Sequence, residues 1–252
     1  MAGTALLGRL VWYVATVAER RQETETAWTL ALTVPNWPGH EAGQHVDVRL
    51  RAQDGYTAVR SYSIANAAQG EHLEITIEQL PDGEVSPYLA QTIAIGDALE
   101  LRGPVGGWFV WRPASNDPVQ LFAGGSGVVP LMAMVRTRAL SSVRPPFHLT
   151  YSVRAPESII YAPELRQRAT RDEGLSITYA YTRTTPPGWP TSPHRVDAAL
   201  ISETAFPSSK NPISFVCGPT PFVEAVANLL AHAGYDSSRI KTERFGPTGG
   251  TQ

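Results

Sequence analysis

The pattern of apolar residues changes once along this chain, close to the segment Arg112–Pro118. Before that segment, short stretches alternate apolar with polar residues and are separated by turn signals such as Pro-Gly and Asp-Gly. In chain order these stretches are WYVATVAERR, WTLALTVP, QHVDVRL, RSYSIAN, LEITIEQL and DALELRG. Alternation with a period of two is typical of strands that cover a core with one face. The first half therefore predicts an antiparallel six-stranded β-barrel over residues 1–113.

The second half follows a different pattern. From about Val119, apolar strands alternate with helical stretches, and the strands are VQLFAGG, FHLTYSV, LSITYAYT and ISFVCG. The clearest helix follows Thr220-Pro221, with its apolar residues on one face and Gly234 just past its end. This alternation predicts an α/β domain with a parallel sheet over residues 118–252.

Composition excludes several classes of function. The 252 residues carry a formal net charge of −2, so the concentrated positive charge that nucleic-acid binding requires is absent. The apolar run Ala5–Val17 contains Arg9 and is too short to span a membrane, so we interpret it as the first strand and expect no membrane insertion. Cys217 is the single cysteine, which excludes an internal disulfide and a four-thiolate iron–sulfur cluster. The six histidines lack zinc-binding spacing, so no metal site is expected.

The stretch RSYSIAN carries three residue types that suit a phosphorylated aromatic cofactor. Arg60 offers a planar fork for phosphate oxygens, Tyr62 a flat ring face, and Ser63 a hydroxyl for a ring nitrogen. These match the parts of a flavin, although an ordinary barrel strand would also account for them. Further on, Gly83–Ser86 leads through a capping serine into a short helix, whose first N–H groups would favour a phosphate beside Arg60. A glycine turn without a ligand is the alternative.

A second glycine-rich turn, Gly124–Gly127, stands between the strand VQLFA and a helix that opens near Val128. Glycines at the carboxyl end of a parallel strand let the backbone approach a dinucleotide closely. The spacing differs from the Rossmann pattern, and a tight turn without a ligand is the alternative. A nucleophile elbow is excluded, because Val128 stands where that motif requires glycine.

Two later segments add candidate residues. Cys217 ends a strand and is followed by Gly218-Pro219, and the last strand contains Glu243 and Phe245. A lone cysteine in this position is also explained as a small buried apolar residue.

Taken in order, five segments resemble the ferredoxin–NADP reductase superfamily over essentially the whole chain: RSYS, GEVS, GGSGVVP, CGPTPF and ERFG. The resemblance is to stand-alone bacterial oxidoreductases of the oxygenase-reductase type, without a fused ferredoxin or haem domain. It implies a flavin-binding barrel domain over residues 1–113 and an NAD(P)-binding α/β domain over residues 118–252. It also implies FAD, with FMN as the less favoured flavin.

The same resemblance assigns roles to residues. Tyr62 would stack on the flavin ring, Ser63 would bond near its N5 atom, and Arg60 would hold the phosphates together with the Gly83–Ser86 turn. Cys217 and Glu243 would border the nicotinamide, and the implied catalytic residues are Ser63, Cys217 and Glu243. Phe245 would cover the other face of the flavin, although seven residues follow it in this chain. The implied flavin-binding residues are Arg60, Ser61, Tyr62, Ser63, Ile64, Ala65, Thr76, Ile77, Glu78, Gly83, Glu84, Val85, Ser86 and Phe245. The implied NAD(P)-binding residues are Gly124, Gly125, Ser126, Gly127, Arg154, Thr182, Arg183, Cys217, Gly218 and Pro219.

The electron donor is indicated by two arginines. Arg154 and the pair Thr182-Arg183 stand at strand ends where the family meets the adenosine 2′-phosphate. Two guanidinium groups suit that dianion, so we expect NADPH to be preferred over NADH. Solvated surface arginines are the alternative interpretation.

The function implied by the resemblance is that of a flavin-dependent NAD(P)H oxidoreductase active in electron transfer. A hydride passes from NAD(P)H to bound FAD, and electrons then leave to a separate acceptor. That acceptor is a ferredoxin, an oxygenase or molybdenum-enzyme component, or a small molecule. The alternatives are a flavin reductase that uses flavin as a substrate and a non-catalytic flavin or nucleotide sensor. A cytoplasmic location is expected.

Overall fold

The structure, a computed structural model, describes residues 11–51, 55–80 and 82–246. The first group of strands comprises β1 (Trp12–Gln22), β2 (Ala27–Thr33), β3 (His45–Arg51), β4 (Thr57–Ser63), β5 (His72–Glu78) and β6 (Ala98–Val105). The second group comprises β7 (Val119–Gly124), β8 (Phe147–Val153), β9 (Leu175–Tyr181), β10 (Ile213–Pro219) and β11 (Ile240–Phe245). The α-helices are α1 (Val128–Leu140), α2 (Ala162–Arg171), α3 (Ala198–Thr204) and α4 (Thr220–His232). A π-helical segment spans Tyr88–Thr92.

The first six strands form one antiparallel sheet in the order β4-β3-β6-β1-β2-β5. Its two edges meet where Ile64 bridges Ile75 and the Ala65 N–H donates to the Glu74 carbonyl at 2.8 Å, so the sheet closes into a barrel. Alternate residues of each strand point inward and bury a core of Val, Ile and Leu side chains. The predicted six-stranded barrel is confirmed. Its first strand begins at Trp12, and the predicted part of that strand before residue 11 lies outside the described residues.

The last five strands form a parallel sheet in the order β11-β10-β7-β8-β9. Side chains of α1 and α2 pack on one face of this sheet, and side chains of α3 and α4 pack on the other. Because both faces are covered, the inner strands are largely buried on both sides, with mostly apolar residues. The predicted α/β arrangement is confirmed.

The parallel register brings three strand ends to one edge of the sheet. Cys217 on β10 pairs with Ala123 on β7 and with Glu243 on β11. Helix α1 begins just after β7, and its preceding turn, Gly125–Gly127, also lies against β5 of the barrel. This edge of the parallel sheet therefore faces strand β5 of the barrel.

A connection without strands links the two sheets between residues 106 and 118. Trp111 in this connection bridges back to Ala42 in the barrel half. The predicted domain limits at residues 113 and 118 fall here and stay a prediction. No helix in the described part of the chain is long and apolar enough to cross a membrane.

Candidate functional site

Strand β4 presents a neutral aromatic ring and an unbonded hydroxyl. Arg60 and Tyr62 share one face, because successive side chains of a strand alternate. Tyr62 packs against the barrel core, and burial raises the pKa of its phenol to about 12 although the charge of Arg60 lowers it. Ser63 is half-buried, and its hydroxyl bonds no other described residue. Both groups are therefore available to a ligand.

Ser61 has a different environment from its neighbours. Its hydroxyl donates to Asp47 Oδ1 at 2.7 Å, and Asp47 also accepts from Arg102 at 2.6 Å. The side chain of Ser61 is thus part of the barrel wall, and Ser61 would reach a flavin through its backbone.

Arg60 contacts the Gly83–Ser86 turn through a carboxylate. Its Nη2 atom donates to Glu84 Oε2 at 2.6 Å, and both side chains are half exposed. The hydroxyl of Tyr56 donates to the other oxygen of Glu84 at 3.0 Å. The guanidinium that would bind a phosphate is therefore paired with a carboxylate that the same phosphate would displace.

A short helical segment follows this turn from Ser86, as expected, but the expected serine cap is wrong. The Ser86 hydroxyl accepts from the Leu80 N–H at 3.1 Å, so it closes the turn rather than capping a helix. A side chain at Gly83 would stand 2.6 Å from that hydroxyl, which explains the glycine. The segment begins at Ser86-Pro87 and continues as a five-residue π-helix over Tyr88–Thr92, without a side-chain cap. A phosphate here would depend on Arg60 and the backbone of the turn, not on a helix dipole.

Four of the five residues expected along the flavin edge expose little side chain, and the fifth, Glu78, is exposed. Ile64, Ala65 and Ile77 are fully buried. The hydroxyl of Thr76 is hydrogen-bonded to Thr29 at 2.8 Å and to the phenol of Tyr161. A ligand along β5 would therefore contact backbone atoms, as in the expected arrangement.

The glycines after β7 and β10 permit a close approach of two turns. A side chain at Gly127 would stand 2.1 Å from the carbonyl oxygen of Cys217. At Gly124 or Gly218 it would stand 2.8 Å from the ring of Phe222. Gly125 has a positive φ of 55° and open space around it. The Gly125–Gly127 turn is a short 3-10 helix that runs directly into α1, and the Val128 N–H bonds the Gly125 carbonyl, so the N–H groups that a ligand would meet first are those of the turn itself.

Cys217 and Glu243 are neighbours at the ends of β10 and β11. Burial, followed by the nearby charge of Glu243, raises the pKa of the Cys217 thiol well above its ordinary value. Burial also raises the pKa of Glu243 to about 7. Phe245 lies two residues further, opposite Pro219, and packs partly on the core of the second domain. The edge thus presents a thiol, a carboxyl that titrates near neutral pH, and an aromatic ring.

The two arginines expected at the 2′-phosphate lie side by side. The backbone N–H of Arg183 donates to the carbonyl of Arg154 at 2.9 Å, and the Thr182 hydroxyl donates to the Val153 carbonyl at 3.2 Å. Both arginines are exposed, and their guanidinium groups have no ion-pair partner among residues 11–51, 55–80 and 82–246. Two unpaired positive charges therefore stand at the ends of β8 and β9.

Sequence reasoning missed two residues that join the halves of the molecule. Arg136 on α1 donates to the Ala65 carbonyl at 2.9 Å and to Glu74 at 3.0 Å. Tyr161, in a left-handed conformation with φ of 61°, bonds Thr76. For Arg136, the available signal was an arginine at the end of the apolar run VVPLMAMVR. The sequence carries no comparable signal for Tyr161.

Comparisons with known proteins agree with this arrangement. A family model described as "Oxidoreductase FAD-binding domain" matches residues 16–110, and one described as "Oxidoreductase NAD-binding domain" matches residues 121–228. Among curated proteins, the glycine betaine monooxygenase reductase subunit of Chromohalobacter salexigens is 34% identical over 82% of this chain. The match covers 56% of that relative, so the chain spans about half the length of the protein it resembles.

Solved structures share the fold. The Amycolatopsis cytochrome P450 reductase GcoB superposes with a TM-score of 0.83 and 25% identity, over 98% of this chain and 74% of that one. The FAD/NAD-binding domain of a nitric oxide dioxygenase from Vibrio cholerae superposes with a TM-score of 0.82 and 23% identity, over 93% of this chain and 99% of that one.

Proposed function

Since the chain belongs to the ferredoxin–NADP reductase superfamily, with an FAD-binding and an NAD-binding domain, we propose that it is a flavin-dependent NAD(P)H reductase. In this role it supplies electrons to a separate acceptor. The proposal includes a cytoplasmic location, where a pyridine-nucleotide donor is available.

The observation that carries the proposal is the contact between the two predicted cofactor regions. The Gly125–Gly127 turn, beside which a nucleotide would bind, lies against β5, along which the flavin would lie. Cys217 and Glu243 stand at the same edge. Cofactors bound in these two places would be neighbours, as direct transfer requires.

The residues present fit both cofactors. Arg60 and the glycine turn beside it suit a diphosphate, and Tyr62 suits a ring system. On the other side, the backbone N–H groups of the Gly125–Gly127 turn and the close approach of Gly127 to Cys217 suit a pyrophosphate. When bound, FAD accepts a hydride from C4 of NAD(P)H, which leaves as NAD(P)⁺, and returns the two electrons singly to the acceptor.

Each residue group has a defined task in this proposal. Arg60 and the Gly83–Ser86 turn retain the flavin, Tyr62 stacks on its ring, and Ser63 donates a hydrogen bond near N5. Cys217, which is buried, and Glu243, which is partly buried, orient the nicotinamide. Phe245 covers the ring face until the nicotinamide takes its place.

For the donor we favour NADPH, because Arg154 and Arg183 are adjacent and unpaired within the described part of the chain. For the acceptor we favour an iron–sulfur or oxygenase protein. The similar Chromohalobacter protein is named as the reductase subunit of a monooxygenase, and Cys217, the single cysteine here, cannot hold a cluster.

Steady-state oxidation of NADPH with ferricyanide as an artificial acceptor tests the proposal. The chain reconstituted with FAD should oxidise NADPH and reduce ferricyanide, and the chain stripped of flavin should not. If the FAD-loaded chain binds NADPH but reduces no ferricyanide, a non-catalytic sensor is favoured instead.

A second candidate function is a flavin reductase that releases its flavin. The pairing of Arg60 with Glu84 favours it, because a neutralised guanidinium retains a phosphate less firmly. Gel filtration separates the two candidates: FAD that co-elutes with the protein supports a resident cofactor, and FAD that separates supports a substrate.

A further inference from the structure

Arg136 connects both halves of the molecule with a single guanidinium. Its side chain is 13% exposed and bonds both oxygens of Glu164 on α2, with Nε–Oε1 at 3.1 Å and Nη2–Oε2 at 2.5 Å. The remaining nitrogen, Nη1, donates to the Ala65 carbonyl at 2.9 Å and to Glu74 Oε2 at 3.0 Å. Every nitrogen of the group is thus bonded, Nε and Nη2 to the second domain and Nη1 to the barrel.

The barrel partners of Arg136 are the residues that close the barrel. Ala65 donates its N–H to the Glu74 carbonyl, beside the bridge between β4 and β5. Ala65 is also one of the residues proposed to border the flavin, and Glu74 stands two residues before Thr76. Arg136 therefore holds the closure of the barrel at the flavin edge.

Tyr161 makes a second connection at the same place. Its ring lies 4.8 Å from the Arg136 guanidinium, and its phenol bonds the buried hydroxyl of Thr76 on β5. Glu23 Oε2 accepts from the Tyr161 backbone N–H at 3.3 Å. The guanidinium of Arg136 and the phenol of Tyr161 together attach α1 and the start of α2 to β5.

Helix α1 transmits this attachment to the nucleotide side. Arg136 is eight residues after Val128, the first residue of α1, which corresponds to about 12 Å along a helix. The turn before Val128 is held against Cys217 by the contact at Gly127. A shift of α1 relative to β5 would therefore move the nicotinamide region relative to the flavin region.

We propose that Arg136 is a positioning residue that sets the spacing between nicotinamide and flavin. This inference rests on the proposed function. Arg136 touches neither cofactor and acts through Ala65, Glu74 and α1. Directional hydrogen bonds suit this task, because the rate of hydride transfer depends steeply on the distance and orientation of the two reacting rings.

The variant Arg136→Gln removes the charge and the fork but leaves a foldable chain. Glu164 keeps Arg168 at 2.8 Å, and Glu74 keeps Arg21 at 3.8 Å, so neither carboxylate loses every cation. The matched control is Arg138→Gln on the same helix. Arg138 is 3% exposed and bonds Asp172 at 2.6 Å within the second domain alone.

The test combines anaerobic stopped-flow reduction by NADPH with two equilibrium readouts. The first is the FAD dissociation constant, measured by fluorescence. The second is a titration with NADP⁺ followed in the visible flavin spectrum, which gives the NADP⁺ dissociation constant and the size of the spectral change. For Arg136→Gln we expect the limiting rate to fall roughly tenfold to hundredfold, with both dissociation constants within about twofold of wild type and a weaker spectral change. Arg136→Lys, which keeps the charge, should recover part of the rate. Arg138→Gln should lower the Tm yet leave the limiting rate unchanged.

Two results would overturn the inference: a wild-type limiting rate in Arg136→Gln, or an equal loss of rate in Arg138→Gln. Failure of the wild-type protein to reduce bound FAD with either nucleotide would contradict the proposed function itself and remove the inference with it.

Discussion

At the scale of single residues, Glu84 competes with any phosphate for Arg60. The two side chains are half exposed and 2.6 Å apart, so their ion pair is screened by solvent and modest in strength. Removing Glu84 frees a guanidinium, whereas removing Arg60 deletes the positive charge of this site.

We therefore expect opposite effects on flavin binding. Arg60→Ala should weaken FAD binding roughly tenfold or more, because charge-assisted hydrogen bonds are lost. Glu84→Gln should strengthen it about twofold to fivefold, the size of an exposed ion pair. Quenching of FAD fluorescence gives both dissociation constants. Asp82→Asn, at an exposed carboxylate just before the same turn, is the control. An equal gain in FAD affinity in that variant would show that the effect comes from net charge alone.

Glu243, at the edge where the nicotinamide would bind, makes the stability of the protein depend on pH. Its pKa is about 7 in the folded protein, against an ordinary value of 4.5, because it is buried. Between these values the folded state holds a proton that the unfolded state has released, so stability falls as pH rises through this window.

Glu243→Gln should remove this dependence. Relative to wild type, the variant should gain stability at about pH 8 and little at about pH 5, measured as Tm at both values. Glu203→Gln, an exposed carboxylate on α3, is the control. An equal Tm difference between wild type and Glu243→Gln at both pH values would contradict burial as the cause.

Arg154 and Arg183 should determine the preference for NADPH. Each alanine variant should raise the KM for NADPH roughly tenfold and leave the KM for NADH unchanged, because only NADPH carries the 2′-phosphate. Arg144→Ala, before β8 rather than after it, provides the control. Wild-type protein that uses NADH far faster than NADPH would show that the two arginines do not select the donor.

At the scale of elements, the turn after β7 depends on two glycines for different reasons. Gly127 has no room for a side chain beside the Cys217 carbonyl, whereas Gly125 has room but a positive φ. Gly127→Ala should destabilise by at least about 3 kcal/mol, and Gly125→Ala by about 1 kcal/mol. Thermal unfolding of the two variants measures the contrast. Equal losses would show that backbone strain rather than the close approach explains both positions.

The strands and the larger helices follow directly from local patterns. The stretch FHLTYSV becomes β8 without a change of limits, because its apolar periodicity is strong. Helix α4 forms where it was predicted after Thr220-Pro221, but it already includes these two residues. The helix expected from Ser86 forms, but the serine does not cap it, since its hydroxyl bonds the Leu80 N–H instead. Helix α2 gives a weak signal, because Leu165 is its one buried residue.

The candidate site was predicted as a set of segments, but the partners of its charged side chains were not. The positions of Arg60, Gly127 and Cys217 follow from their motifs. The contacts made by Glu84 and Arg136 depend on which side chains come together after folding, and no spacing in the sequence predicts those contacts. Their contacts could be found only from the three-dimensional structure.

At the scale of the whole molecule, the barrel has one apolar core, the parallel sheet has one on each face, and mixed contacts join the two halves. The core of the second domain reaches the barrel through small and aromatic side chains, among them Ala42, Ala65 and Trp111. Arg136 and Tyr161 add directional bonds to this apolar contact. Apolar burial holds the halves together, and the directional bonds orient them.

The most direct test of the central claim is a single turnover without an acceptor. FAD-loaded protein is mixed anaerobically with excess NADPH, and the visible absorbance of the flavin is followed. We expect the absorbance to disappear at a rate that saturates with NADPH concentration, because the two cofactor regions are neighbours on one chain. Flavin that stays bound and oxidised at saturating NADPH and NADH would contradict the account.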